Sequence, residues 1–577
     1  MPLVSQTFDQ LLDFTRTTSG TFVGSNGLIQ NTPASVNLLL QTQQFDNAAW
    51  LKTNTTVTAN STTAPNGTLT ADTLTATAGT AISVRMGQSG TTITATTYVT
   101  SFYVRPGTHT FVQIHINAQS ADWVNFTLTG SGTVQNNGAA VGAISFDGAT
   151  GYYRISATYT AGSTDRTPFF GIVPSGTATR NQTWNPTGTE TVFVWGAQLE
   201  AAATATTYTR NNGGVFPPRF DYDPVTLAAK GILIEEQRTN LLLRSEEFDN
   251  AAWPKNGITV SANAGTSPDG SSNAETITED TANTTHQLFQ NANFTSGVAY
   301  TASVYVKQSV GTRRLNIGLA SAAFGAELYA TYNLSTLAVA VSAGVTATIE
   351  NVGNGWYRCR MTATATATAS AGFIFRLANA DTAQFYSYTG DGTSTLLLYG
   401  AQLEAGAFAT SYIPTVASQV TRTADQTSIV APNFAPWYNQ SEGTFVVSAD
   451  TVKPTTAAVT CVVTSADDGT SANRLMVRYL TANLEALNVV SSVTETQLQK
   501  TYSSNSVDNA AFAYAASNFA FTTNGGAVLT DATGPVPVVN RLRIGNTVGV
   551  GQLNGHIRSV RYYPTRLSDA QLQALTA

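Results

Sequence analysis

The sequence predicts an all-β protein, a multidomain chain of jelly-roll β-sandwiches that includes two homologous modules. Three observations carry this. First, 42% of the 577 residues are apolar, only 11% are charged, and Thr, Ala, Ser, Asn and Gly supply most of the rest. Thr and aromatic residues suit pleated, half-buried surfaces, so the composition reads as strand rather than disorder. Second, apolar residues alternate with polar ones. Tyr357, Cys359 and Met361 share one face of a strand, and Trp356, Arg358 and Arg360 share the other. Third, the chain repeats itself at a domain-length period, and 577 residues exceed what one core can organise.

The repeat is direct. Residues 37–52 match residues 240–255 at 11 of 16 positions, an offset of 203. Both carry Asn-Leu-Leu-Leu followed by Phe-Asp-Asn-Ala-Ala-Trp, from Phe45 to Trp50 and from Phe248 to Trp253. The correspondence continues through Pro65 and Pro268, Gly67 and Gly270, Tyr103 and Tyr305, Arg154 and Arg358, Glu200 and Glu404, and Tyr208 and Tyr412. The offset drifts only between 202 and 204. Many short strands broken by Gly, Asn and Asp turns in a segment of this size point to a two-sheet jelly roll.

Taken in order, residues 1–36 form an N-terminal segment, with one helical turn around Phe8, Leu11 and Leu12 and a hairpin over 14–30. In that hairpin Asn26-Gly27 supplies the positive φ of a tight turn. Module 1 spans 37–210 and module 2 spans 240–413. Between them, residues 211–239 form a connector expected to pack with 14–30. Residues 414–428 read as a linker and 429–577 as a further sandwich. Ser568 with Gln571 makes a capping box, which predicts a short closing helix.

Two stretches carry a resemblance. Phe14, Arg16, Thr21-Phe22-Val23 and Gly27-Leu28-Ile29-Gln30 form the first. Pro218-Arg219-Phe220-Asp221-Tyr222-Asp223-Pro224, then Gly231-Ile232-Leu233-Ile234-Glu235 and Arg238-Thr239-Asn240-Leu241-Leu242, form the second. Together they resemble a signature of tailed-phage virion proteins, the head or tail spikes and fibres. Each repeated module resembles the sandwiches of carbohydrate-binding modules. Residues 429–577, with Gly555, Ile557, Val560-Arg561 and Leu567-Ser568, resemble the concanavalin A/laminin-G-like jelly roll. The resemblance implies a virion location after assembly in the bacterial cytoplasm. It implies capsid or tail proteins as partners, host surface glycans as candidate ligands, and a homo-oligomer, with a trimer among the options. Residues 1–36 are then the candidate virion anchor. Where relatives are expected to run the hairpin motif almost directly into the second stretch, residues 31–212 intervene here, which suggests a module inserted at a loop.

Charge and cysteine exclude other classes. The formal net charge is −6 with no Lys/Arg cluster, so no nucleic-acid groove is expected. Cys359 and Cys461 are the two cysteines, too few for a disulfide framework or a cysteine zinc site. The first residues lack a basic and apolar leader, and no apolar run reaches membrane-spanning length, so no signal peptide and no membrane insertion are expected.

No constellation announces catalysis. Glu235/Glu236 and Glu246/Glu247 are adjacent pairs whose members point to opposite faces of a strand, which reads as solvated surface rather than a glycosidase dyad. Glu200 and Glu404 read as hydrogen-bonding anchors for the last strand of each module. His109 and His115 lie roughly 20 Å apart along a strand, too far for one metal. No cofactor is expected. Asp147-Gly148, Asp391-Gly392 and Asp467-Asp468-Gly469 could help hold a structural calcium, and turn chemistry explains them equally. Trp50 and Trp253 read as core, Trp123 and Trp184 as copy-specific surface, and Trp437 and Tyr438 as docking the last sandwich. The remaining ligand candidates are Tyr152 and Arg154 in module 1 and Trp356, Arg358 and Arg360 in module 2. They lie on the faces away from the cores, where flat rings could stack on sugars. The leading expectation is a non-enzymatic spike, fibre or decoration protein. The rivals are a receptor-binding tail fibre and, behind it, a tailspike depolymerase.

Overall fold

The computed structural model describes residues 12–577 except 33–36, 89–96, 117–121, 161–167, 212–215, 383–385, 431–432, 453–459, 481–482, 503–506 and 549–550. The fold is all-β, built of packed antiparallel sheets. Among the described residues the helices are Ser321–Phe324 and the predicted closing helix Asp569–Thr576. Ser568 and Gln571 cap the latter reciprocally, and Leu572 is its buried anchor. Of the helical turn expected near the N-terminus, Phe8 and Leu11 lie outside the described residues.

The repeated motif seeds both modules identically. Trp50 and Trp253 are core residues packed on Phe45 and Phe248. Each indole N–H donates to a backbone carbonyl nine residues back, Gln41 O at 2.9 Å and Arg244 O at 3.0 Å. Lys52 and Lys255 then each donate to three carbonyls of the same turn. The motif is thus a closed local knot, its indole N–H and its lysine ammonium both bonded to its own backbone while both rings enter the core.

Each module is a sandwich of two six-stranded sheets with the same strand order. In module 2 the sheet that matters below runs Thr346–Asn351, Trp356–Thr364, Ala299–Val310, Thr395–Ala405, Ala274–Glu279, Ile258–Gly265. Its module 1 counterpart runs Val141–Asp147, Tyr152–Thr160, Thr97–Pro106, Thr191–Glu200, Ala71–Ala76, Thr55–Thr62. Gly196 and Gly400 sit at positive φ (61° and 63°) where these long strands bulge, and each lies against a tyrosine pair, Tyr103/Tyr208 and Tyr305/Tyr412.

The third sandwich departs from the sequence reading. One of its seven-stranded sheets begins with Asp13–Thr15, which pairs with Gln426–Val430. The other begins with Arg219–Tyr222 and Ala229–Ile234, the latter paired with Gly555–Tyr563. Leu12, Ile232, Ile234 and Ile429 all enter the same core as Phe445, Phe512 and Phe521. So the boundary at 429 is corrected. Asp13–Thr15 from the N-terminal segment, Arg219–Tyr222 and Ala229–Ile234 from the connector, and Gln426–Val430, begun in the linker, belong to this sandwich, because Leu12, Ile232, Ile234 and Ile429 fill its core. Both modules are insertions in it. Asn37 and Asn211 tie the ends of module 1 together, the Asn211 amide donating to Asn37 O at 2.9 Å. Asn240 does likewise for module 2, donating to Ile413 O at 2.8 Å.

Candidate functional site

Module 2, the hairpin segment and the third sandwich meet at a buried ionic joint. Arg16, Arg219 and Arg422 come from three distant stretches, and none of their side chains reaches solvent. Arg16 pairs with Asp425 at 2.8 Å and donates to Thr32 Oγ1 and Pro217 O. Arg219 bridges Glu235 (2.6 Å) and Asp425 (2.5 Å) and donates to Thr21 O. Arg422 pairs with Glu235 and donates to Glu236 O. Ser411, from the end of module 2, gives both its N–H and its hydroxyl to Glu235, each at 2.7 Å. Gly20 passes so close to Arg219 and Arg422 that a Cβ would sit 3.3 Å from each side chain.

Burial alone would raise the Glu235 pKa, but Arg422 and Arg219 overcome it and hold the carboxyl well below its ordinary range. Burial, with the like charges of Arg219 and Arg422, brings Arg16 down to about 10 against the pull of Asp425. Such a network is costly to break by halves, since removing one partner strands a desolvated charge. The expectation of solvated surface is therefore corrected for Glu235, which is 5% exposed. Glu246 is half-buried and accepts from Tyr412 Oη at 3.0 Å, whereas Glu247 pairs with Arg244 near the surface. A signal for the joint stands in the sequence: residues 217–242 are dense in charge in a chain that is only 11% charged.

Beside the joint opens a cleft of about 760 Å³. Its walls are the outer face of the module 2 sheet, the hairpin strands Thr21–Val23 and Ile29–Asn31, the strand Arg219–Tyr222, and the third sandwich around Asp450 and His556. His556 lies between two carboxylates, Nε2 2.8 Å from Asp221 Oδ2 and Nδ1 2.8 Å from Asp450 Oδ1. Burial lowers its pKa, the two carboxylates raise it more, and the net shift is upward from 6.5. Asp221 also accepts the Val23 N–H at 2.6 Å, so one side chain links hairpin, connector and sandwich. The sequence reading did not find this cluster, because its members are more than a hundred residues apart.

Of the five residues proposed from the sequence, Arg358 and Arg360 line this cleft. Arg358 is 5% exposed and donates to Ser303 Oγ (3.1 Å) and Thr410 O (2.7 Å) over the Tyr305 ring. Arg360 pairs with Glu350. Trp356 does not form an open platform: it is 1% exposed, its indole donating to Thr266 O, within a cluster that includes Tyr305, Tyr399, Tyr412 and Ile29. Tyr152 is equally buried, its hydroxyl on Thr63 O, while Arg154 is half-buried and donates to Ser101 Oγ and Thr206 O. Both rings point away from the main core as the alternation requires, but bulky neighbours on adjacent strands enclose them.

Glu200 and Glu404 each accept the N–H and hydroxyl of a threonine six residues on, Thr206 and Thr410. Asp147 and Asp391 cap their own turns, Asp468 caps Thr470, and Asp467 pairs with Arg543 at 3.0 Å. His109 hydrogen-bonds Val173 O and stacks on half-buried Trp184. Half-buried Trp123 donates to Ala178 O, and Trp437 and Tyr438 pack on the third core. No set of three or more His, Cys, Asp or Glu residues is gathered to hold a metal among the described residues.

No protein-family model and no curated protein matches this chain. Among solved structures it is similar to the CBM40 of a Ruminococcus gnavus IT-sialidase bound to alpha2,3 sialyllactose (18% identity, 26% of this chain and 89% of that one, TM-score 0.22). It is also similar to a tandem CBM22 from Paenibacillus barcinonensis Xyn10C (12%, 65% and 99%, TM-score 0.23). A third similarity is to domains LG4-5 of mouse laminin alpha1 (8%, 58% and 91%, TM-score 0.17).

Proposed function

We propose that this chain is a structural protein of a tailed-phage particle, a non-enzymatic head or tail spike, fibre or decoration protein displayed at the particle surface. The supporting observation is the ionic joint. The residues that carry the resemblance to virion proteins, Arg16, Arg219 and Glu235, are those that lock module 2 to the third sandwich. A displayed appendage must hold its domains in fixed relation, and a desolvated, fully bonded network at the branch point does this where a flexible linker would not. On this reading its partners are capsid or tail proteins and further copies of itself. The test is labelling of purified particles of the source phage with gold-conjugated antibody raised to the chain, backed by mass spectrometry of their proteins. Labelled particles support the reading. Particles that lack the chain, in a lysate that contains it, overturn it.

A further inference from the structure

The cleft beside the joint has more positive charge than its own carboxylates use. Asp221 and Asp450 share the single imidazole of His556, Glu350 pairs with Arg360, and Glu235 is taken up by Arg219 and Arg422 of the joint. Against the one carboxylate charge that a single imidazolium leaves over stand Arg358, hydrogen-bonded to Ser303 and Thr410, and two further cations, Lys230 and Arg558. Lys230 enters no ion pair among the described residues, and Arg558 reaches Asp450 only at 3.7 Å with 39% of its side chain exposed. They come from neighbouring paired strands, Ala229–Ile234 and Gly555–Tyr563, so they face the cleft from one wall. A surplus of cations in a low-dielectric recess, on a chain whose net charge is −6, selects an anion.

The rest of the lining says what kind. Thr346 and Thr348 present hydroxyls from the opposite wall, and both are exposed. Phe22 and Tyr222 contribute half-exposed rings. Hydroxyls, flat apolar faces and a fixed charge are the groups that recognise a pyranose bearing a carboxylate. About 760 Å³ far exceeds an inorganic anion and falls in the range of organic ligand sites. We infer that the cleft binds an acidic oligosaccharide, its carboxylate drawn to Lys230 and Arg558 and its sugar rings set against Phe22 and Tyr222. This deepens the display reading by giving the appendage a ligand class, but it concerns the isolated chain and stands or falls separately from particle labelling.

The test is calorimetric titration of the full-length chain with trigalacturonate and a hyaluronan tetrasaccharide, with maltotriose as the neutral control. Saturable binding of at least one acidic probe, at least tenfold tighter than maltotriose and weakened by added salt, is expected. The double variant Lys230→Ala/Arg558→Ala should weaken it at least tenfold with an unchanged melting temperature. If that variant melts early, Lys230→Gln and Arg558→Gln are read singly. Silence of both acidic probes, equal binding of maltotriose, or affinity indifferent to these substitutions would overturn the proposal.

Discussion

Modules 1 and 2 are two copies of one design that meet different company. Both carry an arginine over a tyrosine on the outer face of the same sheet, Arg154 over Tyr103 and Arg358 over Tyr305. In module 2 the hairpin strands Thr21–Val23 and Ile29–Asn31 lie on that face. Thr21 donates its hydroxyl to Tyr412 O, the Ile29 N–H donates to Pro268 O, and Leu28 reaches to within 2.9 Å of where a Gly270 Cβ would be. The matching glycine of module 1, Gly67, has nothing within 4 Å of that point. So Arg358 and Tyr412 are buried while Arg154 and Tyr208 stay half-exposed. A face is made an interface by what is delivered to it, as much as by its own residues.

Cutting the delivery at its root should have the largest effect. Arg219→Met leaves Asp425 and Glu235 short of a partner and should cost about 3–5 kcal/mol in urea unfolding. Module 2 and the third sandwich should then unfold in separate steps, with module 1 unaffected. A single unshifted transition would show that the joint does not couple them.

Next comes the arginine pair itself. Arg358→Ala removes buried charged hydrogen bonds and should cost about 2 kcal/mol, and Arg154→Ala about half a kcal/mol, since its face is open to water. Equal losses would mean that the cover is energetically idle.

The hairpin side of the comparison should also respond to pH. The folded pKa of His556 lies above 6.5, so its contribution is complete below that value and fades as pH rises through the higher folded one. Glu235 acts oppositely: its folded pKa lies below 4.5, so its contribution is present above that value and is lost as pH falls through the folded one. The third sandwich should lose stability on the alkaline side in thermal scans, and His556→Gln should flatten that limb. A limb unchanged by the substitution would remove the histidine from the account.

The smallest effect isolates a single contact. Gly270→Ala and Gly67→Ala share the same positive-φ strain, 86° and 83°. The extra loss at Gly270, about 0.5–1 kcal/mol, therefore measures its contact with Leu28. No difference would place the hairpin further off than the structure has it.

The repeat made the twin sandwiches legible, because an alternating strand with fixed turns leaves few alternatives. Alternation also put Trp356 and Arg358 on the correct side. It could not show that Trp356 is enclosed, since Ile29 and Tyr412 arrive from far along the chain. Glu235 was misread for the same reason. Next to Glu236 it looks like a solvated pair, and only Arg219 and Arg422, neither adjacent in sequence, give it a buried partner. The third sandwich was legible in its last strand and closing helix, but not in the strands lent to it from residues 13–15 and 219–234.

That lending sets a timetable. Each module has its full set of strands as soon as its own residues are made, and can fold behind the ribosome as a finished bead. The strand of Ile232 and Ile234 pairs early with Arg219–Tyr222, but its other edge has no partner until Ile557 and Gly555 are made. At roughly 5–20 residues per second, an apolar strand waits on the order of half a minute with its edge unpaired. The ionic joint lies alongside, and the Glu236 N–H next to it rests on Asn554 Oδ1 at 2.9 Å, so in a chain that stops short of Asn554 the joint lacks this seat on the third sandwich. Completeness is thereby read out as cohesion. A prematurely ended copy would carry two sound modules on a scaffold that never sets, and would be the copy most exposed to proteases before assembly.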